Sequence, residues 1–311
     1  MIDCATTLNG RHWFNVIERQ MMTPTPNWMN SIDEMGDKEF QRWSSLLKQR
    51  TGMDVKYARK SFLTTGVRLR MRELGFTCYN DYYQHLFSGR KGRIEWATLV
   101  DRLTIHETRF LRHPGSIELL TELFLPKYLK SYLDGDHLQA WSVGCATGEE
   151  CYTLAIALDD YLKQSHRDVY YGVVGSDISL PALAKARKGI YDVRRIKNLS
   201  QQHIDHYLIK KENDQYQVEK ALRERVCFNM LNLLEMDQDV IHKMDIVFCQ
   251  NVLIYFDENL RYTILDELVQ HINPGGLLVI GVGEALGWKN PQMQRLHGYD
   301  ALAYTKESSD E

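Results

Sequence analysis

The chain has 311 residues, a formal net charge of −3 and 44% hydrophobic residues, which is the size of about two domains with a sizeable core. No whole-chain basic field calls for nucleic acid, and no apolar run approaches the ~18–20 residues that cross a bilayer. Residues 1–14 carry Asp3, Arg11 and His12 without an apolar block, so neither a secreted nor a membrane-inserted protein is expected.

Thr23-Pro24-Thr25-Pro26-Asn27 interrupts any helix near the start, and residues 1–36 are expected to form an irregular extension. Residues 37–87 read as helical. Phe40, Trp43, Leu46 and Leu47 recur at i, i+3, i+6 and i+7, giving one buried face. Thr51-Gly52 ends that helix. A second is expected over 55–73, stopped at Leu74-Gly75, and a third over 80–87 with Asn80 as its N-cap. These segments make a small all-helical domain, placed over 37–95.

From residue 137 onward the pattern changes. Strand-like 137–143, helical 149–162, strand-like 169–174 leading to Asp177, and helical 180–188 follow in turn. Short apolar runs at 225–228, 245–248 and 277–281 come later, with a helical stretch at 259–271 before the last. Strands separated by helices predict an α/β fold, a doubly wound parallel sheet covered on both faces, over 96–311. The polar stretch 210–216 reads as an inserted hairpin or loop, about 205–222, and 306–311 as a polar tail. The six cysteines (4, 78, 145, 151, 227, 249) show no C-x-x-C and no ligand-like pairing with histidine. Reduced thiols are therefore expected, with no disulfide framework and no metal site.

The chemistry is concentrated after the first strand, in Trp141-Ser142-Val143-Gly144-Cys145-Ala146-Thr147-Gly148-Glu149-Glu150. Small residues at 144, 146 and 148 let the backbone approach a ligand where a helix opens. About thirty residues on, the second strand ends in Ser176-Asp177-Ile178, where an acid can accept from both hydroxyls of a ribose. The turn lacks G-x-G-x-x-G, and the two carboxylates at the helix start would repel a pyrophosphate but suit a cation. S-adenosylmethionine fits this pattern and NAD does not, although a capped turn without a ligand has the same local signature.

The motif Trp141-Ser-x-Gly-Cys-x-Thr-Gly-Glu-Glu-x-Tyr152 resembles the first cofactor motif of the chemotaxis-receptor glutamate methyltransferases, the CheR type. The same resemblance is carried by Gly175-Ser-Asp177-Ile, Ala184-x-Ala186-Arg187-x-Gly189-Ile190-Tyr191, Asn232-Leu233-Leu234 and Gln250-Asn251-Val252-Leu-Ile254-Tyr255-Phe256. Upstream, His106-Glu-Thr108-Arg-Phe110-Leu-Arg112 is similar to the family's N-x-T-x-F-F-R segment, and residues 40–88 resemble its helical N-terminal domain. The divergent first motif and extended N-terminus are similar to the pilus-associated PilK branch.

The resemblance implies a methyltransferase fold with an inserted β-hairpin subdomain, and cofactor contacts at His106, Thr108, Arg112, Gly144, Glu149, Asp177, Asn232, Leu233, Asn251 and Val252. Asp177 would hold the ribose, Asn232 and Leu233 the adenine, Arg112 the methionyl carboxylate by its planar fork, and Glu149 would face the positive end. Arg112 and Asn251 would be the catalytic residues, and the backbone of Asn251 and Val252 would lie at the lip where donor meets acceptor. His106 stands where the family has Asn, and Leu111 where it has an aromatic. Plainer roles stay open beside these: a surface arginine at 112, a structural histidine at 106, pocket wall at Tyr255 and Phe256, and turn-filler at Cys145.

The implied reaction is methyl transfer from S-adenosylmethionine to receptor glutamates, giving methyl esters and S-adenosylhomocysteine, in the cytoplasm and by a monomer. A glutamate acceptor, with a reference pKa of about 4.3, needs no general base. Lys56, Arg59, Lys60, Arg68, Arg70 and Arg72 lie in a stretch without an acid. That face suits the acidic helices of a receptor, or is simply solvated. The alternatives are a methyltransferase of another protein or a small molecule, and a non-catalytic cofactor-binding adaptor; a nucleic-acid partner is not expected.

Overall fold

The computed structural model describes residues 32–133, 135–236 and 243–307. The expected extension lies mostly outside them, but Ile32 and Met35 are buried against the helical domain.

Four helices build that domain: α1 (Asp37–Thr51), α2 (Lys60–Leu74), α3 (Tyr79–His85) and α4 (Gly89–Leu103). The expected stripe of Phe40, Trp43, Leu46 and Leu47 is buried on α1, which ends at Gly52 in the left-handed region with φ 77°. The N-cap of α3 is Cys78, not Asn80; the Asn80 amide oxygen instead accepts from Arg42 Nη1 at 3.0 Å. α4 runs through the expected domain boundary at 95, and its Leu99, Val100 and Leu103 share the core of α1 to α3. The helical unit therefore extends to 103, because the segment at 95 carries no helix breaker and its apolar residues are buried in the same core.

The expected basic face is largely spent within the domain. Arg68 donates to the Ile32 carbonyl at 2.7 Å, Arg70 Nε to Glu95 at 2.9 Å, and Lys60 pairs with Asp37 at 2.6 Å. Lys56 pairs with Asp54.

A helical stretch in three pieces, Pro114–Glu118, Leu119–Phe124 and Leu125–Tyr128, leads into the α/β domain. Its elements in chain order are β1 (His137–Val143), α5 (Glu149–Gln164), β2 (Tyr170–Asp177), α6 (Leu180–Lys188), β3 (Ile190–Asp192), α7 (Gln201–Tyr207), β4 (Leu208–Lys210), β5 (Gln215–Val218), β6 (Val226–Met230), β7 (Met244–Cys249), α8 (Glu258–Gln270), β8 (Ile272–Ile280), β9 (Met293–Leu296) and β10 (Leu302–Lys306). The main sheet has the order β6-β2-β1-β7-β8-β10-β9. β6, β2, β1, β7 and β8 pair in parallel, while β10 is antiparallel to both β8 and β9.

Apolar layers cover both faces of the sheet, one containing Leu154, Leu158 and Phe248, the other Trp141, Leu265 and Leu268. Because the chain leaves β1 toward β2 and returns on the other side as β7, the carboxyl ends of β1 and β7 form the switch point at which open α/β sheets hold ligands. The expected hairpin is present as β4 and β5, but β3 joins it to make an antiparallel sheet β3-β5-β4. A third strand is physically reasonable, since an isolated two-stranded ribbon is marginal in water.

Candidate functional site

The turn after β1 sets the site. Gly144, Ala146 and Gly148 all have positive φ, 66°, 48° and 92°. A Cβ on Gly144 would stand 2.3 Å from Val252 Cγ2, so only glycine lets Val252, just beyond β7, close against the turn. Asp177, at the end of β2, is fixed by two backbone donors: Ala146 N to Oδ2 at 2.9 Å and Ser179 N to Oδ1 at 2.8 Å. Burial pushes its pKa up, and those donors oppose the shift.

Two cavities open on this edge. One is mostly apolar, walled by Met53, Ile178, Leu231, Leu233, Val252, Tyr255 and Phe256, with Asp177 as its carboxylate. The other is polar and contains Thr108, Arg112, His113, Glu150, Gln250 and Asn251. They share Ile105, Gly144, Ala146 and Asn251. Asn251 therefore stands at the junction, with φ 63° and its Oδ1 2.8 Å from His113 Nε2.

Most of the expected residues come together here. His106, Gly144, Asp177, Asn232, Leu233, Asn251 and Val252 line the apolar cavity; Thr108 and Arg112 line the polar one. Glu149 does not. Its carboxylate accepts from Thr147 Oγ1 at 2.7 Å and pairs with Arg195 at 3.2 Å, fully buried away from both cavities. Successive residues on a helix point about 100° apart, and it is Glu150 that faces the polar cavity, where Ser142 Oγ donates to it at 2.7 Å. Burial pushes the Glu150 carboxyl up to about 7, against the Ser142 hydrogen bond and the nearby Arg112 charge.

Two expected contacts are engaged within the chain. The Asn232 amide donates to the Arg50 carbonyl at 2.9 Å, and its oxygen accepts from Leu234 N at 3.3 Å. It thus ties the end of α1 to the cavity rim. His106 Nε2 lies 3.0 Å from Asp101 Oδ1 and 2.9 Å from Thr104 Oγ1, which turns that nitrogen toward the end of α4. The Leu111 amide donates to Thr153 Oγ1 at 3.2 Å, and Leu111 takes φ 46°.

Sequence reasoning missed His113, Glu284 and the contribution of Thr51 and Met53 from the helical domain. His113 directly follows the expected Arg112 and could have been read with it, whereas Glu284, Thr51 and Met53 reach the site from a distant strand end or from the helical domain.

Residues 106–301 match the family model described as "CheR methyltransferase, SAM binding domain", and residues 38–104 match "CheR methyltransferase, all-alpha domain". The chain belongs to the CheR methyltransferase family. The junction of the two matches coincides with the end of α4. The chain is 31% identical over 253 residues to the chemotaxis protein methyltransferase of Escherichia coli, covering 80% of this chain and 85% of the relative. It is 31% identical over 251 residues to chemotaxis protein methyltransferase 1 of Pseudomonas aeruginosa (80% and 90% covered). The chemotaxis protein methyltransferase of Borreliella burgdorferi is 29% identical over 272 residues (86% and 96% covered).

The cofactor of this CheR chain is S-adenosylmethionine, and the residues present fit it. An apolar slot holding a single buried carboxylate has the chemistry for a nucleoside. A polar chamber that holds both guanidinium groups (Arg109, Arg112) and carboxyl groups (Glu107, Glu150) has the chemistry for an amino-acid zwitterion. The two chambers meet along Gly144, Ala146 and Asn251.

Proposed function

We propose that this chain methylates glutamate side chains on the cytoplasmic helices of a chemotaxis-type receptor, producing glutamate methyl esters and S-adenosylhomocysteine. The observation that carries the reading is the meeting of a nucleoside half-site and an amino-acid half-site at Gly144 and Asn251, in a chain of the CheR family. In this reading Asp177 holds the ribose, Leu233 and Val252 pack on the adenine, Arg112 pairs with the methionyl carboxylate, and Glu150 takes the ammonium. Thr108 walls the amino-acid end. Asn251 presents the lip.

The sulfonium of the bound cofactor supplies an activated methyl group. Everything else falls to positioning. A glutamate acceptor is ionised near neutral pH, so the protein has no proton to remove from it. Arg112 and Asn251 then act by fixing the two reactants in line, and the apolar walls keep water from the transfer path. The Cys145 thiol has no nucleophilic duty: it is buried in the turn, and its pKa is pushed up by its contact with Cys151 and by burial. The protein would work as a cytoplasmic monomer; no described helix is long and apolar enough to cross a membrane.

The deciding experiment is transfer of labelled methyl from S-adenosylmethionine to a purified receptor cytoplasmic domain, followed by mild alkali. Base-labile label on the receptor supports a carboxyl ester. Alkali-stable label, or calorimetric cofactor binding with no label at all, would sink the reading.

A further inference from the structure

Beside the polar cavity, and sharing Arg109 and Arg112 with it, lies a depression whose walls also include Arg194, Arg195 and Lys197, with Glu107 as its acid. Two of these cations are committed within the chain. Arg195 pairs with Glu149 at 3.2 Å, and Arg112 Nη1 donates to the Glu107 carbonyl at 2.6 Å. The others are available. The Arg194 side chain is 87% exposed and makes a long, solvent-screened pair with Asp192 at 3.5 Å. Arg109 Nε is buried without a hydrogen-bond partner among the described residues. Lys197 is exposed, beside the short turn Val193–Ile196.

The contrast with the helical domain matters. There Lys56, Lys60 and Arg70 are paired with Asp54, Asp37 and Glu95, and Arg68 donates to the Ile32 carbonyl. The cations that border the polar cavity and its adjoining depression, Arg109, Arg112, Arg194, Arg195 and Lys197, all lie outside the helical domain.

We propose that this depression docks the acidic flank of the acceptor segment, the carboxylates one helical turn from the glutamate being methylated. The inference rests on the receptor-glutamate reading above and names the surface that reads the acceptor. On a helix, residues three and four apart are neighbours at about 5–6 Å, so acids flanking a glutamate held at the lip fall naturally on a wall shared with the polar cavity. Charge complementarity of this kind acts mainly on encounter and register and weakens with salt.

The test is the double variant Arg194→Glu/Lys197→Glu, whose residues line neither cofactor cavity. With the receptor domain as acceptor at low salt, KM for the acceptor should rise about tenfold, with the difference shrinking as salt is added. Cofactor affinity and kcat should stay at wild-type values. Arg72→Glu, on the helical domain, should have a smaller effect. An unchanged acceptor KM overturns the proposal, as does a larger KM rise from Arg72→Glu.

A second arm uses a fluorescein-labelled glutamate-rich peptide followed by anisotropy. Binding by the wild type that is lost in the double variant supports the surface. Equal binding by both, binding by neither, or tighter binding of single-stranded RNA at the same surface, overturns it. If the wild type labels no receptor, the substrate reading fails, and the peptide arm still decides the surface.

Discussion

A single oxygen of Glu284, Oε2, accepts both the Asn251 amide and the Gly281 amide at 3.0 Å. Glu284 is buried, and its other oxygen has no hydrogen-bond partner among the described residues. The carboxylate thus clamps the carboxyl ends of β7 and β8 together and holds Asn251 in its left-handed conformation. Gly281 leaves the room for this, since a Cβ there would lie 2.3 Å from Oε2.

Glu284→Gln keeps one oxygen for the two amides, and its kcat is expected to stay within a few-fold of wild type. Glu284→Ala leaves buried N–H groups unpaired, at a cost of about 1–3 kcal/mol. Its kcat should fall at least about tenfold, further than cofactor KM changes. Equal losses in both variants would assign the role to charge and not to positioning.

Asp177 gives a direct test of the nucleoside half-site. Hydrogen bonds to a charged group contribute about 1.5–3 kcal/mol each, so Asp177→Ala should weaken S-adenosylhomocysteine binding at least tenfold by calorimetry. An unchanged affinity would remove the ribose assignment.

Glu150 makes cofactor binding pH-dependent. Burial holds its pKa near 7, above the ordinary carboxylate range, so the ligand-free protein carries it protonated below that pH. A ligand ammonium favours the ionised form. Affinity should therefore rise as pH increases through about 7 and be lost as pH falls, with a proton released on binding at the acid end. Calorimetry of S-adenosylhomocysteine in two buffers of different ionisation enthalpy measures that proton. Glu150→Gln should abolish the release and flatten the profile; a profile unchanged by the substitution would rule out Glu150 as the ammonium partner.

In the helical domain, the buried Glu95 accepts from Arg70 Nε at 2.9 Å and from Tyr82 OH at 2.6 Å. Removing one partner of a buried ion pair costs about 3–5 kcal/mol. Glu95→Ala should lower the urea midpoint accordingly, while Arg72→Ala, on an exposed position of the same domain, leaves it nearly unchanged. Similar midpoints for the two variants would show that the network is not a stabilising core.

The elements that depend on local pattern were readable in advance. The four-residue stripe of α1, the helix over Leu180–Lys188, β1, and the acid closing β2 all arise from side-chain periodicity and turn chemistry within a few residues. β3, β9 and β10 were not readable. They are short or lie at sheet edges, so their pairing is decided by distant partners and not by their own alternation. The extent of the helical domain was misplaced for the same reason, since only packing of Leu99, Val100 and Leu103 assigns the end of α4.

The sequence by itself determined a two-domain chain with a nucleoside-type turn, an acid at Asp177 and the motifs of a methyltransferase, because those are properties of neighbours along the chain. Tertiary structure alone decided which of two adjacent carboxylates faces the cofactor cavity, which cations stay free, and that Glu284 holds Asn251. Each of those outcomes depends on a helix's rotation or on groups far apart in sequence, and only the packed sheet and its covering helices bring such groups within hydrogen-bond reach.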